Sequence, residues 1–293
     1  MQAAPPGTQA SYTGGIVLMC AGVACLSAND AVAKALTAHY SPLQILFMRN
    51  LIALPFTVAI ALVMGGRTAL KTYRPAAHLL RGALWVVAAM MFFTSFIYLG
   101  LAEATALIFV APFFITVISA LFLGEKVHIR RWLAVLFGFI GVLVVIRPGG
   151  ATFQAASLLP VATALVYALL MLSARWVDAR ETVWTLLVYL TGTAALISAF
   201  IVPFVWVPVR LEDLWLFAAI ALFGTAGMTM MTQAFRLTPA VIVAPLDYTG
   251  IIWATLFGWL FWRESPDTMT FFGAAIIIAS GVFTIFRQKG KAA

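Results

Sequence analysis

Charge is what this sequence has least of. Only 10% of its 293 residues are Asp, Glu, Lys or Arg, 63% are hydrophobic, and the mean hydropathy is +1.04. A soluble domain of this length cannot hide that much apolar surface, which excludes an ordinary globular enzyme fold. Cysteine is nearly absent. Cys20 and Cys25 fall within one apolar run, which excludes a disulfide-stapled scaffold. The first twelve residues hold no Lys or Arg, so the first apolar run is expected to be a retained helix rather than a secretory signal. The phosphate-binding lysine loop, G-x-S-x-G and H-E-x-x-H are all missing, and His39, His78 and His128 lie far apart. No ATP motor, hydrolase, metal centre or flavin site is expected, and no cofactor.

What is present is a succession of long uncharged stretches. Ten spans fit, at 13–36, 43–64, 79–99, 102–123, 132–147, 157–173, 182–205, 214–235, 239–262 and 267–286. Several approach the roughly 20 residues that carry a helix across the hydrocarbon. Barrel strands alternate polar and apolar residues, which "AAIIIASGVFTIF" does not, so the spans are helices whose backbones bond internally in lipid. The net charge of +8 is unevenly distributed. With the N-terminus inside, thirteen Lys and Arg fall on the cytoplasmic side, Arg81 among them, against Lys34, Arg147, Arg210 and Arg263 outside, with Arg49 inside a span. That asymmetry sets orientation in a lipid bilayer and excludes a nucleic-acid partner. A bacterial inner-membrane protein with both termini cytoplasmic is expected.

The chain also resembles itself. "AVAKAL" at 31–36 aligns with "LSARWV" at 172–177, and "FIYLGLAEA" at 96–104 with "QAFRLTPA" at 233–240. "LFLGEKVHIRRWLAVLFGFIGVLVVIR" at 121–147 aligns with "LFWRESPDTMTFFGAAIIIASGVFTIFR" at 260–287, and the offset stays between 136 and 141. The units are 1–148 and 157–293. Five helices in each is an odd number, so the second unit enters the membrane inverted, an architecture used for alternating access. "IFVAPFFIT" at 108–116 and "IVAPLDYTG" at 242–250 look alike, but their offset of about 133 departs from the rest. Pro112 and Pro245 therefore need not be strict mates. Each nonetheless interrupts a fourth helix, removing a donor and freeing a carbonyl.

The glycine- and glutamate-bearing end of the first half and its "LFWRESPDTMTFFGAAIIIASGVFTI" counterpart resemble the drug/metabolite transporter superfamily, in its EamA branch, with an aromatic amino-acid exporter as the type considered. The resemblance covers nearly the whole chain. It implies ten transmembrane helices in two inverted five-helix repeats, a central cavity between them, and the fifth and tenth helices packing outside. Glu125 and Glu264, just past a helix end at the membrane edge, are expected to be structural. Gly138, Gly141, Gly273 and Gly281 are expected to let helices approach closely.

Charges inside spans are costly, roughly 2.5–3.5 kcal/mol at mid-membrane, and those that stay face a partner or a wet cavity. Asp30 and Lys34 are four apart on one helix face and can pair. With Arg49 and Glu103 they are candidates for an ion-paired outer gate or for coupling. Asp247, the one charge between Pro239 and Trp262, is the prime candidate for substrate binding, with Arg236 as a conceivable partner. Tyr248, Asn29, Trp85, Phe92, Tyr98, Tyr167, Gln233 and Trp253 complete the candidate site. Phe109 is a further deep aromatic, and Trp176, Trp206, Trp215 and Trp262 look like interface anchors.

These features point to a monomeric secondary carrier of small metabolites, an amino-acid exporter first. An importer of a vitamin, nucleoside or S-adenosylmethionine-like solute is the alternative, and a passive channel or a membrane scaffold is the alternative class.

Overall fold

A computed structural model describes residues 6–122, 129–148, 154–178 and 180–286. Glu125, Lys126 and His128 lie outside the described residues, as do Arg287, Lys289 and Lys291. The described chain is helical, with no strand. In order it forms α1 (Pro6–Leu36), α2 (Pro42–Gly65), α3 (Pro75–Ser95), α4 (Leu101–Ile108), α5 (Ala111–Phe122), α6 (Ile129–Ile146), α7 (Leu158–Leu172), α8 (Val183–Ile201), α9 (Leu214–Leu237), α10 (Ala240–Val243), α11 (Gly250–Trp262) and α12 (Thr268–Phe286). Among the described residues seven helical segments are long and apolar enough to cross a membrane, and Trp132–Ile146 and Thr268–Val282 are shorter apolar helices.

The helix ends follow local chemistry. Proline opens α2 and α3, where its missing donor costs nothing. The Ser41 hydroxyl accepts from the Gln44 amide to cap α2. Gly66 ends the same helix at φ +69°, a conformation that favours glycine. Thr182 and Thr185 cap α8 reciprocally. The fourth span divides at Phe109 and Val110, just before Pro112. The ninth segment is more broken: α10 gives way to a 3₁₀ turn over Ala244–Thr249 that contains Pro245, and only then does α11 start.

Small residues set which helices touch. A Cβ at Gly22 of α1 would stand 3.0 Å from the Gly227 carbonyl of α9, and one at Gly227 would stand 2.9 Å from the Gly22 carbonyl. Gly141 of α6 and Gly273 of α12 make the same reciprocal approach at 2.9 and 2.7 Å. Lipid provides no hydrophobic drive between helices, so close backbone packing of this kind holds them together. Along α1, Met19 packs near Val243, Ser27 bonds the Gly250 carbonyl, and Lys34 meets Glu264. The α1 helix and the α10–α11 segment therefore run parallel.

Candidate functional site

A cavity of about 370 Å³ lies among α1, α3, the α4–α5 break, α7 and the 3₁₀ turn after α10. That volume is within the range of small-molecule sites. The two interrupted helices supply its irregular backbone, which at membrane depth is tolerated where it lines a cavity.

Three charged side chains line it: Asp30, Arg49 and Asp247. Arg49 is buried. Its guanidinium lies against α9, where a Cβ at Gly224 would fall 2.7 Å from Nη2 and 2.9 Å from Nε. Its other side meets the Trp85 ring, 5.7 Å from the centroid. Among the described residues no carboxylate comes within 4 Å of it. Asp30 accepts a hydrogen bond at 3.0 Å from Asn29 Nδ2, while Asn29 Oδ1 is buried without a partner. Asp247 lines the cavity with its side chain exposed to that space, and among the described residues no hydrogen bond or ion pair engages it. Arg236, the partner the sequence offers, instead bonds Gln233 Oε1 at 3.3 Å and lies over the Trp184 ring.

Aromatic side chains make up much of the remaining wall: Trp85, Phe92, Phe109, Tyr167 and Tyr248. Phe109 meets Tyr248 edge to face at 5.0 Å. A Cβ at Gly281 of α12 would fall 1.7 Å from the Tyr248 hydroxyl. The hydroxyl is thus wedged toward α12, which leaves the ring to line the cavity.

Other candidates go elsewhere. Tyr98 is exposed and lines a second, polar cavity of about 750 Å³ at the end of the bundle that carries Lys34. Following the basic-residue asymmetry, this is called the outer end. Gln233 points to the Met64 sulfur at 3.9 Å, and Trp253 packs in a cluster with Met19 and Val243 and stacks on Phe257. Neither lines the central cavity.

The four charges read as one outer gate separate into two places. Asp30 and Arg49 belong to the central cavity, and Lys34 and Glu103 to the outer one. Lys34 is not paired with Asp30. Its ammonium donates to both oxygens of Glu264, at 2.6 and 2.7 Å, and to the Leu99 carbonyl at 3.0 Å. Trp262, read as an interface anchor, covers that ammonium. Glu103 accepts from Ser157 at 3.3 Å, and Arg147 pairs with Asp267. At the opposite end Glu181 accepts from Thr72 Oγ1 at 2.9 Å and the Tyr73 amide at 2.7 Å, and lies 2.6 Å from His78 Nε2. Arg81, assigned to a cytoplasmic connection by its sequence position, is buried within α3 and donates to the Leu170 carbonyl at 2.9 Å.

Sequence reasoning missed Gly224, Ser27, Thr105 and Thr163. The first shapes the wall behind Arg49 and the other three line the cavity. A small polar residue in an apolar helix gives too little signal to be singled out. Ser27, three residues before Asp30, is the one a face argument could have reached.

The comparisons agree with this architecture. Residues 13–147 and again 154–286 match the EamA-like transporter family. The S-adenosylmethionine uptake transporter of Rickettsia bellii is 28% identical over 289 residues, spanning 95% of this chain and 96% of that one. The pseudopaline exporter CntI of Pseudomonas aeruginosa is 28% identical, spanning 94% and 97%. The riboflavin transporter of Vibrio cholerae is 29% identical, spanning 92% of each. A solved protein structure that is 19% identical superposes with a TM-score of 0.65 over 95% of this chain and 99% of that one, which supports the fold. The chain belongs to the EamA-like transporter family. It is a multi-pass membrane transporter and not an enzyme.

Proposed function

We propose that this member of the EamA-like transporter family is a secondary carrier that exports an amino acid, or a metabolite built like one, by alternating access. The observation that carries the reading is the charge arrangement of the central cavity. Among the described residues no carboxylate comes within 4 Å of Arg49, and Asp30 and Asp247 are open to the same space. A zwitterion needs a cation for its carboxylate and an anion for its ammonium. A cavity between two halves that offers both suits a carrier better than a channel, which would present a ring of like charge or a carbonyl filter.

Ten transmembrane helices in two inverted repeats, 1–148 and 157–293, are the architecture proposed with it. The protein is a monomer in a bacterial inner membrane, with both termini cytoplasmic. The family match over 13–147 and over 154–286 supports the repeat, and the thirteen-to-four basic asymmetry supports the orientation. A cysteine introduced near Gln288 in a protein lacking Cys20 and Cys25 should react with an impermeant thiol reagent only from inside.

A second reading is an importer of a ring-bearing solute. The aromatic wall formed by Trp85, Phe92, Phe109 and Tyr167 supports it, as do relatives named for S-adenosylmethionine and riboflavin. Purified protein in liposomes, tested with labelled amino acids, S-adenosylmethionine and riboflavin, separates the readings. Saturable flux stimulated by substrate on the far side marks a carrier. Unsaturable leak marks a channel, and no flux of any solute marks a scaffold.

A further inference from the structure

The central cavity carries two carboxylates against one guanidinium, and among the described residues no other charged side chain lines it. Cations elsewhere are committed. Lys34 is held by Glu264 outside the cavity, Arg81 donates to the Leu170 carbonyl behind the wall, and Arg236 lies over Trp184. An ionised carboxylate without a partner is poorly tolerated in a low-dielectric site, so the cavity lining is short of one positive charge.

The two acids also sit at different levels of the cavity. Ser27 bonds the Gly250 carbonyl and sets the level at which α1 and the broken segment meet. From there Asp30 lies three residues outward on α1, about 4.5 Å at the helical rise. Asp247 lies three residues the other way on a 3₁₀ turn, about 6 Å. The axial offset is therefore about 10 Å, more than one small ammonium group can bridge. Arg49 shares the cavity with Asp30. Asp247 is flanked in the same cavity by Tyr167, Tyr248 and Phe109. Rings beside a carboxylate suit a delocalised or weakly hydrated cation, because the ring face adds its own attraction.

We infer that the transported solute carries a net charge of +1: a carboxylate and an ammonium held by Arg49 and Asp30, and a second cationic centre, several bonds away, held by Asp247 and its aromatic neighbours. The inference rests on the amino-acid reading above and narrows it to cationic solutes. Neutral zwitterions fill one end of the cavity and leave Asp247 uncompensated.

The test is binding to purified protein in detergent, with arginine, phenylalanine, glutamate and argininamide as probes. Arginine is expected to bind at least about tenfold more tightly than phenylalanine or glutamate. Argininamide, with no carboxylate for Arg49, should bind about tenfold more weakly than arginine. Asp247→Asn should lower arginine affinity to that of phenylalanine. Phenylalanine binding as tightly as arginine, or rising as pH falls because a proton fills the Asp247 end, overturns the net charge and leaves the amino-acid reading standing. Binding of riboflavin with none of the four probes overturns both. Should Asp247→Asn fail to fold, the order of the four probes on the wild-type protein still decides.

Discussion

Lys34 and Glu264 meet at 2.6 Å although 230 residues separate them. The lysine closes the outer end of α1, and the glutamate follows the left-handed turn at Arg263 that ends α11. The Lys34 ammonium is buried, with Trp262 and the Leu99 carbonyl as its other neighbours. The contact joins the first half of the chain to the second above the central cavity, and it has the makings of an outer latch.

Glu264→Gln should therefore leave a buried ammonium with only neutral acceptors, costing about 1–3 kcal/mol. In a protein lacking Cys20 and Cys25, a cysteine at Thr105, which lines the central cavity, should react faster with an outside thiol reagent when Glu264→Gln is present. Adding Lys34→Met should restore much of the stability and keep the faster labelling. An unchanged labelling rate in both variants would leave the pair a static brace.

Gly224 should matter as much as a charged residue. A methyl group there would occupy the place of the Arg49 guanidinium, which lies 2.7 Å from that position. Gly224→Ala is expected to raise KM about tenfold with kcat changed less than threefold, because it displaces a binding group. Combining it with Arg49→Lys, whose smaller head leaves room for the methyl, should recover part of the loss. Flux measured at several concentrations in liposomes separates the two constants.

Asp247→Asn keeps the shape of the side chain and deletes its charge. Transport of a cationic solute should fall by at least about tenfold while the melting temperature in detergent holds or rises, since an unpaired charge in the cavity is removed. Wild-type flux in this variant would take Asp247 out of the site.

At the inner end, Glu181 gathers Thr72, Tyr73 and His78 from the first half, and its carboxylate is fully buried beside His78. Burial opposes its ionisation, but the bonds from Tyr73, His78 and Thr72 outweigh that and hold it below the usual glutamate range. Glu181→Gln is expected to destabilise by about 1–3 kcal/mol and to speed inside labelling of a cysteine at Met171, which lines the cavity. Equal labelling rates in variant and parent would argue against an inner latch.

Asp267 gives a pH signature. The hydrogen bond from Arg147, followed by those from Thr270, holds its carboxyl down at about 2. A depressed folded value stabilises above the unfolded value of about 4 and is lost as pH falls from there through the folded value. The melting temperatures of the wild type and of Asp267→Asn should therefore differ near neutral pH and converge as pH falls from about 4 toward 2. A gap that persists at the acid end would assign the effect to packing instead.

The sequence by itself determined the class of this protein. Charge is so sparse and the apolar runs so long that only a helical membrane bundle satisfies the backbone, and the glycine- and glutamate-bearing ends already resembled one transporter branch. It also singled out Asp247, because one acid in an apolar run is visible without any structure. Pairing was decided only by the tertiary structure. Helical spacing offered Lys34 to Asp30, four residues away, yet the ammonium went to Glu264 across the bundle, where it also reaches the Leu99 carbonyl. Arg236 was near Asp247 in sequence, but the broken segment after α9 turned the two apart, and the arginine settled on Trp184. The same holds for Gly224, whose importance is a space left empty for the Arg49 guanidinium by a helix 175 residues later. Local periodicity reports which residues share a face. It carries no information on which distant face comes to meet them, and the charges of this site are sorted by that meeting.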